Sequence, residues 1–189
     1  MIETALAYAS LYNFLAAAFG NPPTAEWLAV FAQVMPDIVP VSLAEWQRAY
    51  TKVLVGPGAD YVPPYASVYL QPAANGKALL WGPEASQVEA IYGEAGLDIA
   101  PGQPRVPDHL ALELQFMQHL CAREVDAEAR GGTAEALDWR TRRHAFLREH
   151  VLTWLPLFAE RMSNVGAQPI YRELARFTID CVHSELDGE

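Results

Sequence analysis

Cysteine is scarce in this chain, and bases are outnumbered by acids. Cys121 and Cys181 are its only cysteines. They lie far apart in apolar surroundings and read as small core hydrophobes, not a disulfide, redox or zinc pair. Thirteen lysines and arginines face 23 acids, a formal charge of −10. With no basic patch to neutralise phosphates, nucleic acid is not an expected partner; the balance suits a basic partner or plain solubility. The one local basic cluster, Arg140, Arg142, Arg143, His144 and Arg148, lies among acids and reads as a solvated helix face. Long apolar runs are missing too. The stretch up to Phe19 is interrupted by Tyr8, Ser10, Tyr12 and Asn13, and Met1-Ile2-Glu3-Thr4 carries an acid where a signal peptide carries bases. The expectation is a cytoplasmic protein with no stable membrane insertion. Strand-like alternation of useful length is absent. Gly56-Pro57-Gly58 lacks the second spaced glycine and the Lys-Ser/Thr of a phosphate-binding loop, so no nucleotide is expected.

What is present is helical. A 51% hydrophobic content over 189 residues fills one core well, and the expectation is a single all-α domain, a multi-helix bundle over residues 1–189. Residues 4–19 place Leu6, Ala9, Leu11, Phe14, Leu15, Ala18 and Phe19 at helical spacing before Gly20-Asn21-Pro22-Pro23 stops the pattern. Thr24 caps a second helix through Trp27, Val30, Phe31 and Val34, closed by Pro36 and Pro40. Ser42-Leu43-Ala44-Glu45 is a capping-box pattern that opens a third, carrying Trp46, Tyr50, Val53 and Leu54. Pro83-Glu84 starts a fourth through Val88, Ile91 and Tyr92. Thr133 caps a later helix bearing Trp139, Phe146, Leu147, Val151, Trp154, Leu155 and Phe158, with Pro156 as a kink. A last helix starts near Pro169 and turns Tyr171, Leu174, Phe177, Ile179 and Cys181 inward.

The chain is organised around the helix that follows Pro107. At about 100° per residue, Leu110, Leu114, Met117 and Cys121 form one stripe, widened by Leu112, Phe116 and Leu120, while Gln115, Gln118 and Ala122 mark a narrow wet side. His109 and Glu113 sit inside the apolar arc, where polar groups cost most. They can satisfy each other one turn apart, with Asp108 capping the helix start. Alternatively, Asp108 and His109 stand at the mouth of a groove. The charged stretch 123–135, with Gly131-Gly132 in it, reads as a hinge or connecting loop. Residues 56–82 form a long loop, stiffened by Pro63-Pro64 and presenting Tyr61, Tyr65 and Tyr69, with enough apolar material to lie ordered on the core.

Chemistry is thin. His109 and Glu113 supply two metal ligands without a third at a metal-ligand spacing. Adjacent Asp108 and His109 diverge by about 100° on a helix and cannot pair as acid and base; Ser67 is the one nucleophile worth nominating. Neither metal binding nor catalysis is expected. A binding groove, with Tyr50, Val53 and Leu54 as a greasy floor, the Pro-Pro-Tyr loop as a wall and an acidic rim, would suit a peptide with basic residues before an apolar run. Pattern alone favours the plainer reading, in which Tyr50, Val53 and Leu54 are core and the prolines a turn.

The series Tyr50-Thr51-Lys52-Val53-Leu54-Val55-Gly56-Pro57-Gly58, then Val62-Pro63-Pro64-Tyr65-Ala66-Ser67-Val68-Tyr69, then Pro107-Asp108-His109-Leu110-Ala111-Leu112-Glu113-Leu114-Gln115-Phe116-Met117 resembles, in order and spacing, the TorD/DmsD/NarJ family of redox-enzyme maturation chaperones. The run Phe146-Leu147-Arg148-Glu149-His150-Val151-Leu152 to Trp154 resembles a later helix of that family. The resemblance implies an all-helical, TorD-like cytoplasmic chaperone, not an enzyme, with no cofactor of its own. Its partners would be the twin-arginine leader, or the apo catalytic subunit, of a molybdenum-cofactor oxidoreductase of the dimethyl-sulfoxide-reductase type, held until cofactor is inserted. It further implies a leader site at Tyr50, Val53, Leu54, Pro63, Pro64, Tyr65, Ser67, Asp108 and His109, supported by Glu113 and Phe116. It also implies a monomer or a helix-swapped homodimer hinged at Gly131-Gly132. Two departures stand out: Val53-Leu54 replaces the commoner Leu-Phe, and Arg105-Val106-Pro107 replaces the usual glutamate-containing lead into Asp-His. The other readings are an assembly adaptor that touches no leader and a small hydrolase using Ser67 and His109.

Overall fold

A computed structural model describes residues 2–38, 41–71, 80–99, 106–165 and 169–188. The expected stop at Pro40, the Arg105 of the lead into Asp-His, and the middle of the 56–82 loop lie outside these. The described residues form helices α1 (Ile2–Gly20), α2 (Ala25–Val34), α3 (Leu43–Tyr50), α4 (Ala66–Leu70), α5 (Pro83–Glu94), α6 (Leu110–Ala129), α7 (Thr133–Phe146), α8 (Leu152–Asn164) and α9 (Pro169–Asp187). Two π-helical turns, Thr51–Val55 and Leu147–Val151, continue α3 and join α7 to α8. The class is all-α. Among the described residues no helix is long and apolar enough to cross a membrane.

Local chemistry explains most boundaries. Thr24 accepts the Trp27 N–H at 3.2 Å to start α2. Ser42 and Glu45 complete a reciprocal capping box on α3, the Ser42 N–H donating to the Glu45 carboxylate at 2.9 Å. Pro83 sits in the first turn of α5, where its missing N–H costs nothing. The expected hinge is narrower than its composition suggests: α6 stays helical to Ala129, and only residues 130–132 turn. There Gly131 adopts φ +77°, and Gly132 donates to Ala127 O at 2.9 Å. The cap of α7 is Gly132, not Thr133, which is already inside the helix. Pro156, the expected kink, lies inside α8, which runs helical from Leu152 to Asn164; the departure from α register is instead the π-turn Leu147–Val151 before it.

α6 lies at the centre, with α1 packed along it and α7 folded back on it as a hairpin; α8 packs on α9 and carries α4. Leu110, Leu114, Met117 and Cys121 are fully buried, as their stripe predicts, and Gln115 and Ala122 face solvent. Each such buried side chain is worth about 1.5–3 kcal/mol over exposure. A second aromatic knot joins α2, α3 and α9, with Phe31 and Trp46 rings 4.7 Å apart and Trp46 6.2 Å from Tyr171. On α1 the expected pattern needs one correction: Leu6 is 56% exposed, whereas Tyr12 is fully buried. Tyr12 belongs inside because its hydroxyl donates to the buried Glu185 carboxylate.

That contact belongs to an ionic cluster which corrects the reading of the basic stretch as a solvated face: Arg142 and Arg148 are exposed as expected, but Arg140, Arg143 and His144 turn inward. Arg143 and His144 are buried. Arg143 reaches Glu185 through Nε at 2.7 Å, Glu124 through Nη2 at 3.1 Å and the Cys121 sulfur through Nη1 at 2.9 Å. Arg140 also pairs with Glu124, its Nε donating at 2.8 Å. One buried guanidinium thus links α6, α7 and α9, and Glu185 extends the link to α1.

Candidate functional site

The two motif segments dock on each other. Val62 N–H donates to Val53 O at 2.8 Å, folding the loop back on the π-turn after α3. Gly56 permits this return: its φ is +51°, and a β-carbon there would lie 2.6 Å from the Tyr61 ring. Beyond Tyr61 the loop runs extended through Pro63-Pro64 and pairs with the start of α6. Leu110 N–H donates to Pro64 O at 2.9 Å and Ala66 N–H to Asp108 O at 3.0 Å. Tyr65 and His109 form an isolated antiparallel bridge, their rings edge to face with centroids 4.9 Å apart.

Asp108 and His109 divide the capping work differently from the expectation. His109 caps α6, its Nδ1 accepting the Ala111 N–H at 3.0 Å, so a neutral ring carries its proton on Nε2. Asp108 instead reaches across the chain, accepting the Ser67 N–H on Oδ2 at 2.7 Å and satisfying an open donor at the start of α4. Its carboxylate is fully buried and forms no acidic rim.

His109 and Glu113 do not satisfy each other. Glu113, fully buried, accepts the Trp154 indole N–H on Oε2 at 3.0 Å. Burial pushes its carboxyl well above the ordinary value; Trp154 opposes the shift, and the charge of Asp108 adds to it. Trp154 stacks on Tyr69 at 5.6 Å, and the Tyr69 hydroxyl donates to Pro63 O at 2.9 Å. A line of contacts therefore runs from the centre of α6 through α8 to the Pro-Pro loop. Tyr92 of α5 adds another, donating to Pro107 O at 3.1 Å and lying 4.8 Å from the Phe116 ring.

Of the expected site residues, the structure brings Pro63, Pro64, Tyr65 and Ser67 together with Asp108 and His109. Tyr50, Val53 and Leu54 are not an open floor: Val53 is 0% exposed, and Tyr50 packs towards Tyr171 of α9. Pro63 and Pro64 are buried as well, whereas Tyr61, Tyr65 and Tyr69 are half-buried and supply the aromatic surface of the loop. Phe116 belongs to a different contact set, with Tyr92 and Phe146. Among the described residues the buried Ser67 hydroxyl has no hydrogen-bond partner, His109 Nδ1 is committed to the α6 cap and Asp108 to a backbone N–H. The three do not assemble a nucleophile, base and orienting acid. Trp154, Tyr69 and Tyr92 hold the site in place, yet sequence spacing singles out none of them for that role, because their partners lie on other elements.

A family model described as nitrate reductase delta subunit matches residues 20–160. Among curated proteins, the chaperone protein TorD of Vibrio cholerae serotype O1 (strain El Tor Inaba N16961) is 32% identical over 126 residues, covering 67% of this chain and 54% of the relative. The chaperone protein TorD of Shewanella pealeana is 29% identical over 164 residues, 79% of this chain and 68% of the relative. That of Psychrobacter sp. (strain PRwf-1) is 29% identical over 133 residues, 70% of this chain and 55% of the relative. The chain thus spans little more than half the length of the Vibrio and Psychrobacter relatives.

Proposed function

The chain belongs to the nitrate reductase delta subunit family, the TorD-type chaperones, and on that premise we propose that it is a cytoplasmic chaperone for the maturation of a molybdenum-cofactor oxidoreductase. It acts by binding, not by catalysis. Its client is the apo catalytic subunit, recognised at least in part through a twin-arginine leader, and it holds that subunit until cofactor is inserted. The observation that carries this reading is the docking of the Pro63-Pro64-Tyr65 loop onto Asp108-His109, which builds a stiff aromatic edge on the central helix.

In this reading Tyr65, flanked by Tyr61 and Tyr69, is the direct contact for the leader. Tyr50, Val53, Leu54, Pro63, Pro64, Ser67, Asp108 and His109 hold that edge in position, with Glu113 behind them. Half-buried aromatics suit the task because each offers a large apolar area with few rotamers to freeze. Exposed arginine-carboxylate pairs add only about 0.2–1 kcal/mol each. The apolar contact therefore sets the strength and the −10 charge of the chain mainly the encounter rate.

The test is a titration of the purified protein with a labelled twin-arginine leader encoded beside its own gene, at two salt concentrations, against a non-cognate leader. Micromolar affinity with weak salt dependence is expected. No binding to any leader by folded protein would leave an assembly adaptor, or a chaperone gripping only the mature client.

A further inference from the structure

A groove of about 290 Å³ opens between α5, α6 and α7, away from the Tyr65 edge. It is lined by half-buried Ile91 of α5 and by the nearly buried rings and edges of Phe116 and Leu120 of α6 and Phe146 of α7, with the exposed Glu94 and Glu149 at its rim. The walls follow from helical spacing. Arg142, Ala145, Phe146, Glu149 and His150 fall at i, i+3, i+4, i+7 and i+8, so a single face runs from α7 into the π-turn. Turns of this type recur at functional sites.

The charges select the occupant. Arg142 is already engaged, its Nε 2.8 Å from Asp138 and its guanidinium over the Trp139 ring at 5.1 Å. His150 packs on Phe146 at 5.1 Å, and burial pushes its imidazole below the ordinary value against the opposing charge of Glu149. Glu94 and Glu149 are exposed, and among the described residues neither has an ion-pair partner. An apolar lining beside two exposed carboxylates without an ion pair among the described residues matches an apolar side chain with a cation beside it. The volume lies at the lower end for small-molecule pockets, and the apolar lining offers no converging donors for a polar ligand.

We propose that this groove is a second peptide-binding site, taking a client segment in which a large apolar side chain lies within one helical turn of a lysine or arginine. The inference rests on the chaperone reading for the source of the peptide. The groove is tied to the first site through Tyr92, which touches both Phe116 and the Pro107 carbonyl. A basic, apolar leader is therefore gripped at two places on α6.

Fluorescence anisotropy with the twin-arginine leader of the titration above, labelled with fluorescein, tests it. Two variants are compared with the parent: Ala145→Trp, which plugs the groove, and Glu94→Lys with Glu149→Lys, which inverts the rim. The plug should raise Kd at least tenfold, and the rim inversion at least fivefold at low salt. The exposed rim positions keep the test valid even where the tryptophan disturbs folding, which circular dichroism reads. Binding by the parent with the rim variant within twofold of it overturns the groove and leaves the chaperone reading standing. No binding by the parent overturns the groove together with leader recognition, and leaves an assembly adaptor or a chaperone gripping only the mature client.

Discussion

The carboxylate of Asp108 lies 2.7 Å from the backbone N–H of Ser67, forty-one residues earlier in the chain, at a point closed to water. One side chain at the start of the central helix therefore fixes the start of α4 and, through it, the Pro-Pro loop.

Removing that acceptor should loosen the loop. Asp108→Ala leaves a buried N–H without a partner, at a cost of about 1–3 kcal/mol. Asp108→Asn keeps a carbonyl oxygen there and should stay within about 1 kcal/mol of the parent. Urea denaturation midpoints separate the two. Equal losses for both variants would mean that charge, not the acceptor, matters.

Tyr65 and Leu54 should respond differently to substitution. Tyr65 is half-buried at the loop surface, so Tyr65→Ala should weaken leader binding by roughly tenfold or more, in the range of aromatic interface anchors, with helix content unchanged. Leu54 is 6% exposed, so Leu54→Glu buries a charge and should unfold the protein before it reports on binding. Anisotropy and circular dichroism on the same samples check both.

Glu113 gives stability a pH slope of known sign. Its folded value lies above the ordinary 4.5, so folding takes up a proton in the window between the two. Stability from this group is present below about pH 4.5 and lost as pH rises through the folded value. Glu185, raised chiefly by burial, slopes the same way, so the comparison must be between variants. Glu113→Gln can keep a carbonyl acceptor for Trp154 and lose the titration. The difference in melting temperature, variant minus parent, should grow from pH 5 to pH 8; a constant difference would mean that Glu113 does not titrate there.

The ionic cluster ties α6, α7 and α9 together. Arg143→Ala takes the guanidinium from Glu185 and leaves Glu124 to Arg140, each carboxylate about 1% exposed, and should cost about 3–5 kcal/mol. Arg140→Ala removes a partner that is itself 25% exposed and should cost clearly less. Denaturant unfolding of the two variants gives the order.

Gly56 is the backbone counterpart. At φ +51° and ψ −172° it occupies a region essentially reserved for glycine. Gly56→Ala adds a β-carbon against Tyr61 and should cost about 1–3 kcal/mol. Faster proteolysis between residues 56 and 62 would accompany the loss.

The helices were readable in the sequence because their causes are local: a threonine cap, a capping box, a proline at a helix start and apolar stripes. The Tyr65–His109 pairing was readable only as two motifs in the right order, since nothing in either segment says that one docks on the other. Burial was harder still. Tyr50, Val53 and Leu54 have the same composition whether they floor a groove or fill a core, and only the return of Val62 onto Val53 decides it. The ionic cluster did leave a trace: Glu124 follows Leu120 and Met117 on the inward stripe of α6, and Arg143 sits among Phe146 and Leu147 on α7. An acid and a base, each on a buried stripe, are a pair to be expected, because neither is stable there alone. The α5–α6–α7 groove left none, because it is made by three faces that meet only in the fold.

Tyr12 and Glu185 stand 173 positions apart, so the ribosome delivers the phenol long before its carboxylate. At about 5–20 residues per second, a nascent chain carries Arg143 and Glu124 for some seconds with a core position still empty. That position can close only once α9 has brought Glu185 to it.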